Sequence, residues 1–516
     1  MPFVVAWFLN AAYALLLLVV SPLLVYRGIA HGKYRGGWRE KLTGRLARKH
    51  PERRCLWFHA VSVGEVLQLK QILDQTAARF PDAELFITTT TDTGYEVARS
   101  KYPQHTVAYF PLDFSWAVRR ALRTIQPSVV VLVELELWPN FIVEAHRQRI
   151  PLALINGRIG EKSFRGYSRV KPLLRRVLSC FDLLAVQNET YAERLRQLGA
   201  PTERVTVTGN IKFDGVETNC DNAMTNELRR SFGLAPHEQV FIAGSTQEPE
   251  ESFAIETWTT LQHEFPTLRL ILVPRHKERF EAVAELVRQR GLPLVRRSAD
   301  HREGEALIPT RSVSEGVGGI HREIVDEISE RGGVSPLILG RQPVCKEPGG
   351  LRHPAQKLLT PSLTSSLTLR VGVDAAAPLP SVLLLDTIGE LSACWGLADI
   401  AFVGGSLTNR GGQNMLEPAG YGAAVLFGPN TWNFRDITDA LLSLRAARVV
   451  VGPTELTAAV RDLLLNETEA QRMGEAARTF VGQQRGATAR TVEQLVRLVP
   501  DATSDADNSA TSSRAA

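Results

Sequence analysis

The sequence predicts an α/β protein with two doubly wound domains in tandem, each on a parallel sheet, preceded by an apolar helix. Three observations carry this. At 516 residues the chain exceeds one ordinary core. Short apolar runs rich in Val, Ile, Leu and Thr alternate with amphipathic segments in two separate series, the pattern of a parallel sheet covered on both faces. About 24 residues from Phe3 to Tyr26 carry no charge, enough for a helix to cross a hydrocarbon core.

The N-terminal stretch, assigned to 1–30, lacks the basic start, short apolar run and small-x-small exit of a signal peptide. It reads as a membrane anchor, with an embedded monotopic helix as the alternative. Arg27, Lys33, Arg35, Arg39, Lys41 and Arg45 follow it. By the positive-inside rule that flank stays cytoplasmic, so the large C-terminal portion is expected to face the cytoplasm.

The first series, 31–218, offers the strand candidates CLWFHAVS, ELFITTTT, SVVVLVEL, PLALING, LLAVQN and VTVTGN. Between them lie helical patterns such as QLKQILDQTAARF and AVRRALRTI. The second series, 219–500, offers QVFIAGST, LRLILVPR, SVLLLDT, IAFVGGS and AAVLFGP, with helices EPEESFAIETWTTLQHEF, KERFEAVAELVRQRG and TELTAAVRDLLL. The segment 301–373 is rich in Gly, Pro, Ser and Arg with little periodicity and reads as a poorly ordered insertion; the tail 501–516 reads as disordered.

Composition narrows function. A formal net charge of +5 is modest for this length, and no Lys/Arg block resembles a nucleic-acid arm. Five scattered cysteines without CxxC spacing argue against a disulfide framework and a zinc site. There is no HExxH, and no Asp-x-Asp follows a strand, so metal and cofactor are both expected to be none.

In a doubly wound fold, ligands meet the C-terminal ends of the strands. In the first domain those ends carry Glu65, Thr90 to Asp92, Glu134 and Glu136, Asn156 and Arg158, Asn188, and Asn210 with Lys212. Glu65, behind a glycine at a helix start, could complement the helix dipole or act as a base. Glu134 and Glu136 are expected on one side of a strand, where two like charges raise one pKa unless a cation intervenes. In the second domain VPRH sets Arg275 and His276 at a strand end, where a guanidinium can fork onto a phosphate, and DTIGEL puts Gly389 and Glu390 in a strand-to-helix turn. The run FVGGSLTNRGGQNMLEPAGYG suggests a helix capped by Asn414 whose free N–H groups suit a phosphate, with Glu417 placed for a ribose.

Taken in order, HAVSVGE, TTTTDTG, ELELWPN, NGRIGEKSFRGY, TGNIKFD, STQEPEE, ILVPRH, DTIGEL, RGGQNMLEPAGYG and GPNTWNFRDI resemble the 3-deoxy-D-manno-octulosonic acid (Kdo) transferases of lipopolysaccharide assembly. The resemblance spans the chain from the anchor to about Val499, apart from the insertion. It implies a GT-B fold, two Rossmann-like domains facing a cleft, and inverting, metal-independent transfer of Kdo from CMP-Kdo to a lipid A precursor (lipid IVA). It implies Glu65 as the base and Glu134 as the second acid, with Glu136 as its rival. CMP contacts fall on Pro274 and Arg275, on Ile388, Gly389 and Glu390, and on Asn414, Met415, Leu416 and Glu417. Arg275, the helix start at Asn414 and Lys212 would offset charge on the departing phosphate. The family's usual GGHNPLE reads GGQNMLE here, so Gln413 and Met415 depart from the pattern. The rival readings are another GT-B nucleotide-sugar enzyme and a catalytically inactive, membrane-tethered lipid-binding scaffold.

Overall fold

The computed structural model describes residues 3–31, 36–299 and 381–499. The 301–373 insertion and the 501–516 tail lie outside the described residues. The chain divides into two compact units, Met1–Val216 joined by Val481–Ala516, and Glu217–Phe480.

The first unit holds β1 (Cys55–His59), β2 (Glu84–Thr89), β3 (Thr106–Tyr109), β4 (Val129–Val133), β5 (Leu152–Gly157), β6 (Leu183–Val186) and β7 (Val205–Val207). Their order is β3-β2-β1-β4-β5-β6-β7, all parallel, with the switch point between β1 and β4. Side chains alternate across the sheet as the two-residue period requires. Trp57, Phe86, Val130 and Leu132 enter one core with Val118, Leu122 and Phe141. Leu56, Phe58, Ile87, Val129 and Val131 enter the other with Val66, Leu69 and Leu73. Burial on both faces explains why these strands read as continuous apolar runs. The four-residue β3, TVAY, has no such run and was not among the strands expected from sequence.

That second core also takes Ala487, Val492 and Leu495 of the helix Ala487–Leu498. The Asp214 carboxylate accepts the N–H groups of Gly486 and Thr488 at this helix's start. The chain's end therefore returns to the first unit, whereas the sequence placed all of 219–500 in the second. Its apolar stripe finds an open face there, a pairing that periodicity cannot reveal.

The second unit holds β8 (Gln239–Thr246), β9 (Leu268–Pro274), β10 (Leu294–Arg296), β11 (Val382–Leu384), β12 (Ile400–Val403), β13 (Ala424–Phe427) and β14 (Ala447–Val449). The order is β10-β11-β9-β8-β12-β13-β14, again parallel, with its switch point between β8 and β12. The edge strands β10 and β14 are three residues long and only partly buried, too short and too mixed to be read from sequence.

A 29-residue helix, Phe3–His31, opens the chain. Among the described residues no helix is long and apolar enough to cross a membrane, so the single-pass anchor expected from sequence is not shown. One flank of this helix is tied to the first unit instead. Asn10 Nδ2 donates to Ser115 Oγ at 2.8 Å, Asn10 Oδ1 accepts the Ser115 N–H at 3.0 Å, and the Tyr13 hydroxyl donates to Asp113 at 3.1 Å. Trp7, Phe8, Leu15, Leu16, Leu18 and Val19 are exposed. The basic flank also needs revision, because Lys41 is buried, 3.7 Å from Asp92 and stacked 4.2 Å from the Tyr109 ring. Arg39 and Arg45 are exposed.

Candidate functional site

In the first unit β1 runs into the helix Val63–Arg79 through Ala60, Val61 and Ser62. Ser62 is the N-cap and accepts the Glu65 N–H at 3.4 Å. Glu65 answers with both carboxylate oxygens, one accepting from the Ser62 hydroxyl at 2.8 Å and the other from the Val61 N–H at 2.9 Å. This is a variant of the capping box, in which an acid at the third helical position satisfies donors at the helix start. The cap accounts for the acid's position in SVGE, but it does not make the group inert. Glu65 is 8% exposed, and burial raises its pKa against these hydrogen bonds, with the charge of Glu134 adding to the rise.

Glu134 and Glu136 lie beyond the end of β4, not on it. The expectation that strand alternation sets them side by side therefore fails. Glu134 adopts a left-handed backbone conformation, φ 59°, while its N–H donates to the Ile155 carbonyl at 2.9 Å. A non-glycine residue held there costs on the order of 1 kcal/mol, and the turn brings its carboxylate into the field of the other two. Burial, the charge of Glu65 and that of Glu134 push Glu136 up to about 7, with Trp138 drawing it the other way. Tyr167 is raised in turn by burial and by Glu136.

At the other strand ends of this unit several predicted residues hold turns and helix starts. Thr91 caps the helix Asp92–Lys101 through the Gly94 N–H at 3.1 Å. Asn156, fully buried at φ 54°, donates to Gln68 and accepts from the Ile211 N–H. Asn188 caps the helix Glu189–Gln197. Lys212 is half-buried in the turn after β7, where its N–H donates to Asn210 at 3.0 Å. His59, directly before the Glu65 turn, stacks 3.7 Å from Phe110, and burial lowers its pKa to about 3.

The second unit places its predicted residues at the ends of β9, β11 and β12. Pro274 is buried at the end of β9, and Arg275 beyond it is exposed, its N–H donating to the Thr246 carbonyl at 3.0 Å. Ile388 is 76% exposed, and Gly389 has φ 95°, a conformation that favours glycine. The Glu390 carboxylate meets Thr387 and, at 3.0 Å, the buried Arg297. Asn414 bridges the Leu416 N–H at 3.2 Å and Glu417 at 2.9 Å. Burial raises the Glu417 pKa, with Asn414 and the charge of Arg275 pulling it back. Met415 and Leu416 are buried, so only their backbones can meet a ligand.

The expected open helix start needs correction. The helix Leu416–Tyr421 has six residues, and its cap is Met415, with no side-chain cap bond. Three N–H groups of the glycine-rich loop, those of Gly405, Ser406 and Leu407, are already used by Glu250, an acid that sequence reasoning passed over as one of several in STQEPEE. One Glu250 oxygen accepts from Gln247 at 2.9 Å and Gly405 at 2.7 Å, the other from Ser406 at 3.1 Å and Leu407 at 3.0 Å. The residue is 0% exposed; burial raises its pKa against those four bonds. It staples the loop after β8 to the loop after β12.

Among the described residues no group of three or more His, Cys, Asp or Glu side chains could hold a metal ion. A cavity of about 460 Å3 opens at the strand ends of the second unit, lined by Gln247, Glu248, His276, Arg279, Thr408 and Arg410.

Residues 36–215, nearly all of the first unit's N-terminal segment, match the family model described as 3-deoxy-D-manno-octulosonic-acid transferase (kdotransferase). The 3-deoxy-D-manno-octulosonic acid transferase of Bordetella pertussis is 30% identical, over 85% of this chain and 86% of that protein. The Haemophilus influenzae enzyme of the same name is 27% identical, over 94% of this chain and 97% of its own length. Among solved structures, a UDP-GlcNAc 2-epimerase from Neisseria meningitidis shares the fold alone, with a TM-score of 0.50 and 10% identity over 86% of this chain and 100% of that one. Two parallel α/β units of GT-B type, the motif-bearing strand ends and these relatives together establish that the chain belongs to the 3-deoxy-D-manno-octulosonic acid transferase family of glycosyltransferases.

Proposed function

We propose that this protein transfers Kdo from CMP-Kdo to a lipid A precursor, with inversion and without a metal ion, at the cytoplasmic face of the inner membrane. The observation that carries this reading is the group of three acids, Glu65, Glu134 and Glu136, in which desolvation and mutual charge raise the proton affinity of Glu65 and Glu136 at the strand ends of the first unit. A base works best when its pKa approaches the working pH, and burial beside like charges moves a carboxylate that way. Glu65 takes the proton from the acceptor hydroxyl as that oxygen attacks the anomeric carbon of Kdo. The bond from that carbon to the CMP phosphate oxygen breaks on the opposite face, and CMP leaves with the electron pair.

Glu136, with a pKa near 7, spends part of its time protonated at neutral pH, so the site avoids three adjacent negative charges. Glu134 sets the field felt by both. In the second unit Arg275 offsets the charge growing on the phosphate, while Glu417, held by Asn414, takes ribose hydroxyls. Lys212 is a further cation assigned to offset that charge. With cationic side chains for the leaving group and a carboxylate for the proton, no metal is required by the chemistry.

The exposed apolar side of the helix Phe3–His31 supports an interfacial attachment, because its polar Asn10 and Tyr13 turn toward the protein while Leu15, Leu16, Leu18 and Val19 do not. A helix tethered along one flank suits lying in the headgroup region beside a lipid-borne acceptor. The test is incubation of the full-length protein with CMP-Kdo and a lipid A precursor in detergent, chelator present, following CMP release and product mass. Transfer that needs an added divalent ion sinks the metal-free mechanism, and absence of product in every detergent sinks the acceptor assignment.

A further inference from the structure

The 460 Å3 cavity of the second unit is larger than a phosphate needs, and its charge is unbalanced. Its lining comes from the loops after β8, β9 and β12, the three strands flanking the switch point, where open α/β sheets bind ligands. Its acid, Glu248, is 2.9 Å from Arg279, whose guanidinium also meets Glu251 at 3.1 Å, so Arg279 is fully matched. Arg410 and His276 are exposed and form no ion pair among the described residues. Thr408 Oγ1 is buried without a hydrogen-bond partner.

The cavity is also rigidly framed. Asn433 Nδ2 donates to the Arg410 carbonyl at 2.9 Å, and the Arg410 N–H donates to the Thr408 carbonyl at 2.8 Å. Gly411, at φ 84°, lies so close to Trp432 that a Cβ would stand 2.4 Å from the indole nitrogen. Below, Glu250 holds Gln247 and Gly405 to Leu407 in place. A preformed pocket with an unopposed guanidinium and an unused hydroxyl suits an anion that brings polar bulk with it.

We propose that this cavity receives the carboxylate of the transferred sugar acid, with Arg410 as its counter-charge and Thr408 and His276 as hydrogen-bond donors. The assignment rests on the donor reading above, in which Arg275 and Glu417 serve the nucleotide. A planar carboxylate matches the guanidinium fork, and either tautomer of His276 can donate. A cavity of this size also accommodates the sugar ring to which the carboxylate is attached. Arg410 thereby distinguishes a CMP-linked sugar acid from a nucleotide carrying a neutral sugar.

Titration of the full-length protein with CMP and with CMP-Kdo tests this, comparing wild type with Arg410→Ala and the near-isosteric Thr408→Val. CMP should bind all three within a factor of about two, while CMP-Kdo weakens about tenfold or more with Arg410→Ala and less with Thr408→Val. Equal weakening of CMP and CMP-Kdo overturns the proposal, because Arg410 would then serve the phosphate. Unchanged CMP-Kdo affinity in both variants overturns it as well. If the wild-type protein binds neither compound, the donor reading itself fails, a result visible before any substitution is made.

Discussion

The two units share a fold and present acids at equivalent places, yet treat them in opposite ways. In the first unit Glu65, Glu134 and Glu136 stand in one another's field, and that mutual charge adds to burial in raising the pKa of Glu65 and Glu136. In the second unit each strand-end acid has dedicated partners. Glu250 has four backbone N–H groups, Glu390 has Arg297, and Glu417 has Asn414 with the charge of Arg275 nearby. Asp386, at the end of β11, feels burial too, but the Ser298 hydroxyl and N–H and the Arg296 guanidinium hold its pKa below the usual range. The first unit's acids share one another's charge, whereas the second unit's acids are offset by donors and guanidinium groups that fix the loops around them. The contrast suits a reaction that removes a proton from one substrate and negative charge from the other.

Substitutions at four positions can break or sharpen the contrast. The largest effect on stability is expected from Glu250→Leu, which strands four buried N–H groups and should cost about 3 kcal/mol or more; denaturation should show it, with CMP binding lost. Full CMP binding by that variant would mean the staple is dispensable. Next, Glu65→Gln should keep an acceptor for the cap, so stability changes by no more than ~1 kcal/mol, while transfer falls about a hundredfold or more. Glu65→Ala should lose both the cap and turnover. Normal transfer by the Gln variant would return Glu65 to a purely capping role.

Glu136→Gln carries a pH signature. Because the folded pKa is raised from 4.5 to about 7, the folded protein holds a proton that the unfolded chain releases, and stability falls as pH rises across that window. The variant should lack this fall and melt higher than wild type at pH 8; matching melting curves at all pH values would remove Glu136 from the coupled group. The smallest effect is expected from Tyr13→Phe. Losing its bond to Asp113 should cost about 1 kcal/mol, and limited proteolysis should cut the helix Phe3–His31 from the first unit faster. No change in cleavage would leave Asn10 as the sufficient tether.

Both fold and site were partly legible in the residues. Eleven of the strands were visible because long apolar runs buried on both faces leave an unmistakable imprint. The strands β3, β10 and β14 left none, because TVAY, LVR and ARV are short and sit in mixed, partly polar surroundings without a longer apolar run. Glu65 and the two acids of ELELWPN were visible as polar groups at strand ends. Their side-by-side arrangement on a strand was misjudged, since strand alternation stops at Val133 and a left-handed residue redirects the chain. Glu250 was hidden among neighbouring acids, because only long-range contacts reveal which carboxylate meets the Gly405 loop.

What the sequence determined by itself is the order of alternating elements, the positions at which chemistry could occur, and the motif series that marks the family. These follow from local periodicity and residue type. Tertiary structure alone decided which acids share a field and which are neutralised. It also returned the last helix to the first unit and buried Lys41 rather than leaving it to a lipid surface. The physical reason is that burial and Coulomb interaction depend on distances between residues far apart in the chain, such as Glu65 and Glu136 or Glu250 and Gly405, and periodicity carries no information about those distances.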